Sequence, residues 1–161
     1  MRRSLIVGVV MALAVLAAVP AVLADNTQLN FRAHLTGEDA GADTAGQGQG
    51  IVRFSTDVDT MDFRLNVANI ENVTMAHIHV SATPGGDGPP VVWLYPDGPP
   101  PTLIEGRVQG TIGAGTVTAA DLVGPLAGQD LEALRTAIVE GRAYFNVHTT
   151  QYPAGEIRGQ L

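Results

Sequence analysis

The sequence predicts an all-β fold, an antiparallel β-sandwich or barrel. Three observations point there. Short runs alternate apolar and polar residues, as in Met61-Asp62-Phe63-Arg64-Leu65-Asn66-Val67, and period two is the signature of a strand with one buried face. Nineteen glycines and ten prolines punctuate those runs with turn signals. A single segment, near 130–140, carries helical spacing instead.

In chain order, Leu29, Phe31, Ala33 and Leu35 alternate inward in the first strand, and a Gly/Ala/Asp-rich loop follows over 37–47. Residues 50–56 read as the second strand, with Val52 and Phe54 inward, and 57–60 as a tight turn into a hairpin. The third strand is 61–67, with Met61, Phe63, Leu65 and Val67 on one face. Residues 74–80 form a separate strand, and 91–95 a short one carrying the only tryptophan, Trp93. Residues 104–112 alternate again, and Thr118 caps a short turn. Leu131, Leu134, Ala137 and Ile138 then fall on one helical face behind Asp130, and Gly141 stops that helix. Residues 142–149 and 155–161 close the domain as two strands.

The first 24 residues read as a secretory signal peptide. Arg2 and Arg3 precede an almost wholly apolar stretch over 5–23, and Val22-Leu23-Ala24 offers a cleavage site. One domain over 25–161 would remain, long enough to bury a core. Without Arg2 and Arg3, seven arginines face sixteen acids, a net charge of about −9; the chain has no lysine. Such acidity argues against nucleic acid and anionic membrane as partners, and with no second apolar stretch no stable membrane insertion is expected once the signal is removed. The expected location is secreted, periplasmic or extracellular. With no cysteine, neither disulfides nor thiolate ligands are available.

The chemistry-bearing residues are histidines. His77 and His79 lie two apart in a strand-like run and therefore share a face, with their Cα atoms roughly 6.5 to 7 Å apart. His148 sits in Tyr144-Phe145-Asn146-Val147-His148-Thr149, on the face of Tyr144 and Asn146. If the two strands are neighbours, three imidazoles converge on one point and leave a fourth position open, a donor set suited to copper or zinc. Asn146, Glu156 and Arg158 are the polar groups expected around them, Glu156 and Arg158 sharing a face and forming a pair. His34, beside Asn30 and Arg32, is a weaker fourth ligand. The competing reading is a structural network of His, Asn, Glu and Arg, with the imidazoles solvated or bonded to backbone.

Other constellations are less specific. Asp57, Asp59 and Asp62 have the wrong spacing for an EF-hand and read as a charged turn. Gly46-x-Gly48-x-Gly50 has no phosphate-loop lysine. Asp87, Trp93 and Tyr95 flank Pro/Gly-rich loops and form a candidate recognition surface. Asn72-Val73-Thr74 is a glycosylation sequon.

Ala76-His77-Ile78-His79, Gly85-Gly86-Asp87-Gly88-Pro89 leading into Val91-Val92-Trp93-Leu94, the helix over 131–141, the run over 144–149 and Gly155-Glu156-Ile157-Arg158-Gly159-Gln160-Leu161 together resemble the CHRD domain, named for chordin. The resemblance implies one β-sandwich, immunoglobulin-like or superoxide-dismutase-like, and an extracellular module. The His-x-His strand with a later histidine is also similar to copper-zinc superoxide dismutase. The cysteine pair, a histidine-rich zinc loop and a bridging histidine are missing. The function expected first is therefore a secreted binding or structural module for an unknown extracellular protein or ligand, acting through the loops over 81–90 and 96–101, and not an enzyme of known type. The alternative is a copper or zinc protein, carrier or dismutase-like redox enzyme, built on His77, His79 and His148.

Overall fold

A computed structural model describes residues 29–161. The expected signal segment over 1–24 lies outside the described residues. No helix among them is long and apolar enough to cross a membrane.

Seven strands form one antiparallel sheet: β1 (Asn30–Thr36), β2 (Gln47–Phe54), β3 (Met61–Val80), β4 (Pro90–Tyr95), β5 (Ile104–Val117), β6 (Ala143–Thr149) and β7 (Ile157–Gln160). The order β2-β1-β7-β6-β3 returns to β2, because β3 pairs with both β6 and β2. Five strands thus close into a barrel, which removes their free edges. β4 and β5 add to β3 outside this ring. The expected sandwich or barrel resolves as the barrel.

β3 is the organising element. Its first half pairs with β2 and β5, and its last residues pair with β6 and β4. The strands expected separately over 61–67 and 74–80 are one strand. Between them the chain bends without leaving the sheet. Asn69 and Asn72 take left-handed φ of 54° and 53°, a conformation asparagine tolerates better than most residues. The register against β5 slips at the same places, as in β-bulges. Asn72 of the sequon is half-buried, and its Oδ1 accepts from the Gly106 amide at 2.8 Å.

Two other stretches differ from expectation. The loop foreseen over 37–47 begins with a helical turn, α1 (Gly37–Ala40), capped by Thr36, whose hydroxyl accepts from Asp39 N at 3.1 Å. β5 continues past Ile112 to Val117, pairing along β3 as far as Met61. The helix arrives as expected: α2 (Leu131–Val139) has Asp130 as its cap, accepting from Ala133 N at 3.1 Å, and Gly141 follows at φ 69°. Its buried face includes Leu131, Leu134, Ala137 and Ile138.

The barrel interior holds Leu35, Met61, Leu65, Ile78, Phe145 and Ile157, all fully buried. Each contributes about 1.5–3 kcal/mol by leaving water. Gly50 lies against the ring of Phe145, which occupies the space a Cβ would need. Phe145 and Val147 point to this core, as the alternation requires. The opposite side of β6 is unusual, because Tyr144, Asn146 and His148 are buried too.

Candidate metal centre

That second buried face of β6 meets the end of β3. Their antiparallel register sets His79 opposite Tyr144, His77 opposite Asn146 and Met75 opposite His148. On the other side of β3, His77 is opposite Trp93 of β4. Strand alternation keeps Ala76 and Ile78 in the apolar core and turns His77 and His79 the other way. His148 reaches His77 diagonally across the pair, with ring centroids 5.1 Å apart. The remaining centroid separations are 5.5 Å for His77–His79 and 5.8 Å for His79–His148.

One nitrogen from each ring lies within 4.8 Å of the other two. A common point therefore lies within about 2.8 Å of all three. Bonded zinc needs about 2.0–2.1 Å, a closure of under 1 Å that small ring rotations supply.

The imidazoles are shielded from water. His77, His79 and His148 are 3%, 7% and 6% exposed. A solvated polar face is excluded, because four features cover this one. Trp93 packs edge-on against His77, with centroids 4.3 Å apart. Tyr144 stacks on His79 at 5.0 Å and 17°. The loop over 81–89 and the turn over 150–156 each add a backbone contact to one ring, to His79 and His148 respectively.

Those contacts fix the tautomers. His79 Nδ1 lies 2.8 Å from the Gly88 carbonyl and His148 Nδ1 lies 2.9 Å from the Pro153 carbonyl. A carbonyl only accepts, so each Nδ1 carries the proton and each Nε2 presents a lone pair. The His148 lone pair faces His77 Nδ1 at 3.2 Å. His77 Nε2, His79 Nε2 and Asn146 Oδ1 are buried with no hydrogen-bond partner among the described residues.

Burial also keeps the rings neutral. His77 is pushed down to about 3, chiefly by desolvation and then by His148 and His79 beside it. His79 falls to about 4, again by burial, against the pull of the Gly88 carbonyl. His148 is lowered by burial, with the Pro153 carbonyl opposing. Neutral imidazoles are the form that binds metal.

The surrounding groups depart in part from expectation. Arg158 does belong to the wall, its guanidinium 3.5 Å above the Tyr144 ring, but it pairs with Asp87 and donates to Gly86 O at 2.6 Å. It does not pair with Glu156. Glu156 turns to the opposite side, where it accepts from Thr44 and Thr149 hydroxyls at 2.7 and 2.8 Å. The reason is local: Glu156 sits in the bend before β7, where the pleat does not yet govern direction. Asn146 donates to Ala154 O at 3.0 Å, its amide filling the space where a Cβ of Gly155 (φ 132°) would lie. His34 is exposed on β1 and is not one of the converging three.

Of the three residues proposed for recognition, Asp87 is exposed in its ion pair, Trp93 walls the histidines, and Tyr95 packs against the apolar core. Sequence reasoning missed the Gly88 and Pro153 carbonyls, because backbone acceptors leave no residue-type signature. The Gly85-Gly86-Asp87-Gly88 run was the nearest signal. Gly88 is required there because a Cβ would collide with the Val80 carbonyl.

Residues 31–161 match the family model of the CHRD domain. No curated protein and no solved structure matches the chain.

Proposed function

The chain belongs to the CHRD domain family, and from that premise we propose that it is an extracytoplasmic domain whose biochemical role is to bind one transition-metal ion, zinc or copper, through His77, His79 and His148. A single observation carries the proposal. Two of three converging, buried, neutral imidazoles present Nε2 atoms that no described residue satisfies. A buried unpaired acceptor costs about 1–3 kcal/mol, and the two imidazole costs side by side are relieved together by one cation.

The donor chemistry fits. Three imidazoles suit zinc and copper, whereas calcium and magnesium prefer oxygen. The Gly88 and Pro153 carbonyls play the orienting part that backbone acceptors play for metal-ligating histidines. A purely structural imidazole network would be expected to pair its nitrogens with donors.

The recognition reading has less support. The first of its two loops turns inward, placing the Gly88 carbonyl on His79 and its neighbours on Arg158.

Calorimetry on untagged protein tests the proposal. About one equivalent of zinc(II) or copper(II) is taken up near pH 7.5, and His77→Ala combined with His148→Ala abolishes uptake. No saturable binding above pH 7 would remove the idea.

A further inference from the structure

Resting on the metal reading above, we infer that the bound ion keeps one coordination position open to a surface cleft, and that this position takes a small exchangeable ligand, water, hydroxide or another small monoanion.

Three protein donors do not complete the shell. Among the described residues the converging group holds His77, His79 and His148 and no further His, Cys, Asp or Glu. Zinc takes at least four ligands, and a site with three protein donors leaves its fourth position to solvent or substrate. A purely structural zinc site would be closed by a fourth side chain.

The cleft gives the direction. On the His77 side Trp93 closes the site, and on the His148 side the turn at Pro153 does. His79 and Asn146 instead line a cleft of about 660 Å³, walled by Tyr144, Arg158, Asp87 and Ala154. That volume lies in the range of small-molecule sites, roughly 300–1,000 Å³. Asn146 Oδ1, on the same side chain, is buried without a partner among the described residues and is an acceptor for the proton of a bound water.

Charge decides which ligands enter. Three neutral imidazoles leave the charge of a divalent ion uncompensated, so an anion beside it is favoured. The rim opposes large charge: Glu38, Asp39 and Asp87 stand against Arg158 alone. A monoanion such as azide therefore enters, and a multiply charged anion such as phosphate is held off.

The test uses cobalt(II) in place of zinc, because its visible bands report coordination. Azide is titrated into the one-to-one cobalt complex at constant ionic strength, with phosphate as comparison. We expect a saturable change with azide and at least tenfold weaker response to phosphate. Ala154→Trp, at an exposed position in the cleft wall, weakens the azide response at least tenfold and leaves cobalt affinity unchanged. Bands indifferent to azide in the stoichiometric complex would overturn the open position. An equal response to phosphate would overturn the charge selection, and an unchanged response in Ala154→Trp would overturn the placement in the cleft. Failure to take up cobalt at all would overturn the metal reading, and this inference with it.

Discussion

His79 Nδ1 and the carbonyl of Gly88 lie 2.8 Å apart, so the imidazole proton points to backbone and the other nitrogen is left bare. The same carbonyl accepts from the Tyr144 hydroxyl at 3.2 Å, and that hydroxyl accepts from Gly88 N at 3.1 Å. Tyr144 in turn lies under Arg158. A chain of contacts from Arg158 through Tyr144 to Gly88 thus holds one imidazole in a metal-ready form.

Tyr144→Phe removes both hydrogen bonds to Gly88 and keeps the ring stacked on His79. Metal affinity is expected to fall about tenfold, in keeping with the loss of an orienting group around a metal site. Stability of the metal-free protein falls by only about 1 kcal/mol. Calorimetry and urea unfolding read the two effects separately. Equal metal affinity in variant and parent would show that Gly88 does not govern His79.

Acid is expected to destabilise the metal-free protein through these histidines. In the unfolded chain each takes a proton near its ordinary value of 6.5, while folded His77 and His79 resist until about 3 and 4. Between those limits the unfolded state holds more protons, so stability is fully present above about pH 6.5 and falls as pH drops toward 3. Each histidine contributes a slope of at most about 1.4 kcal/mol per pH unit. His77→Gln should flatten the dependence measured by urea unfolding between pH 7 and pH 4. Identical slopes in the two proteins would mean that the folded state protonates His77 freely.

Metal should stabilise the fold by mass action. At a free zinc concentration 100 times the dissociation constant the gain is about 2.7 kcal/mol, visible as a rise in Tm that a chelator reverses. His34→Ala should leave the rise intact, since His34 is exposed and outside the cluster. A rise lost in His34→Ala but kept in His148→Ala would relocate the site.

A core test is independent of metal. Gly50→Val drives a branched side chain into the Phe145 ring and should cost about 1–3 kcal/mol. Phe145→Leu in the same chain should recover part of that loss, because residues in contact couple. Additive losses in a denaturation series would show that the two positions do not share space.

Much of this architecture was legible in residue order. Alternation at Phe31, Ala33 and Leu35, and at Met61, Leu65 and Val67, marks their buried faces correctly. It also puts His77 beside His79. Helical spacing with Asp130 and Gly141 locates α2. Other features could not be read this way. The union of two predicted strands into β3 depends on asparagines at positive φ, which look like turn residues in sequence. Glu156 escapes the pleat because it precedes β7. The approach of His148 to His77 depends on the register between β3 and β6, which is a property of the closed barrel rather than of either segment. Burial of the histidine face comes from Trp93, Tyr144 and two loops that are distant in the chain.

X-ray absorption at the zinc edge of stoichiometrically loaded protein tests the central claim most directly. The expected spectrum shows imidazole scattering from three nitrogens at about 2.0–2.1 Å with one further light atom, and it disappears in the double variant His77→Ala with His148→Ala. A six-oxygen shell without imidazole scattering, or the same spectrum in parent and double variant, would contradict it.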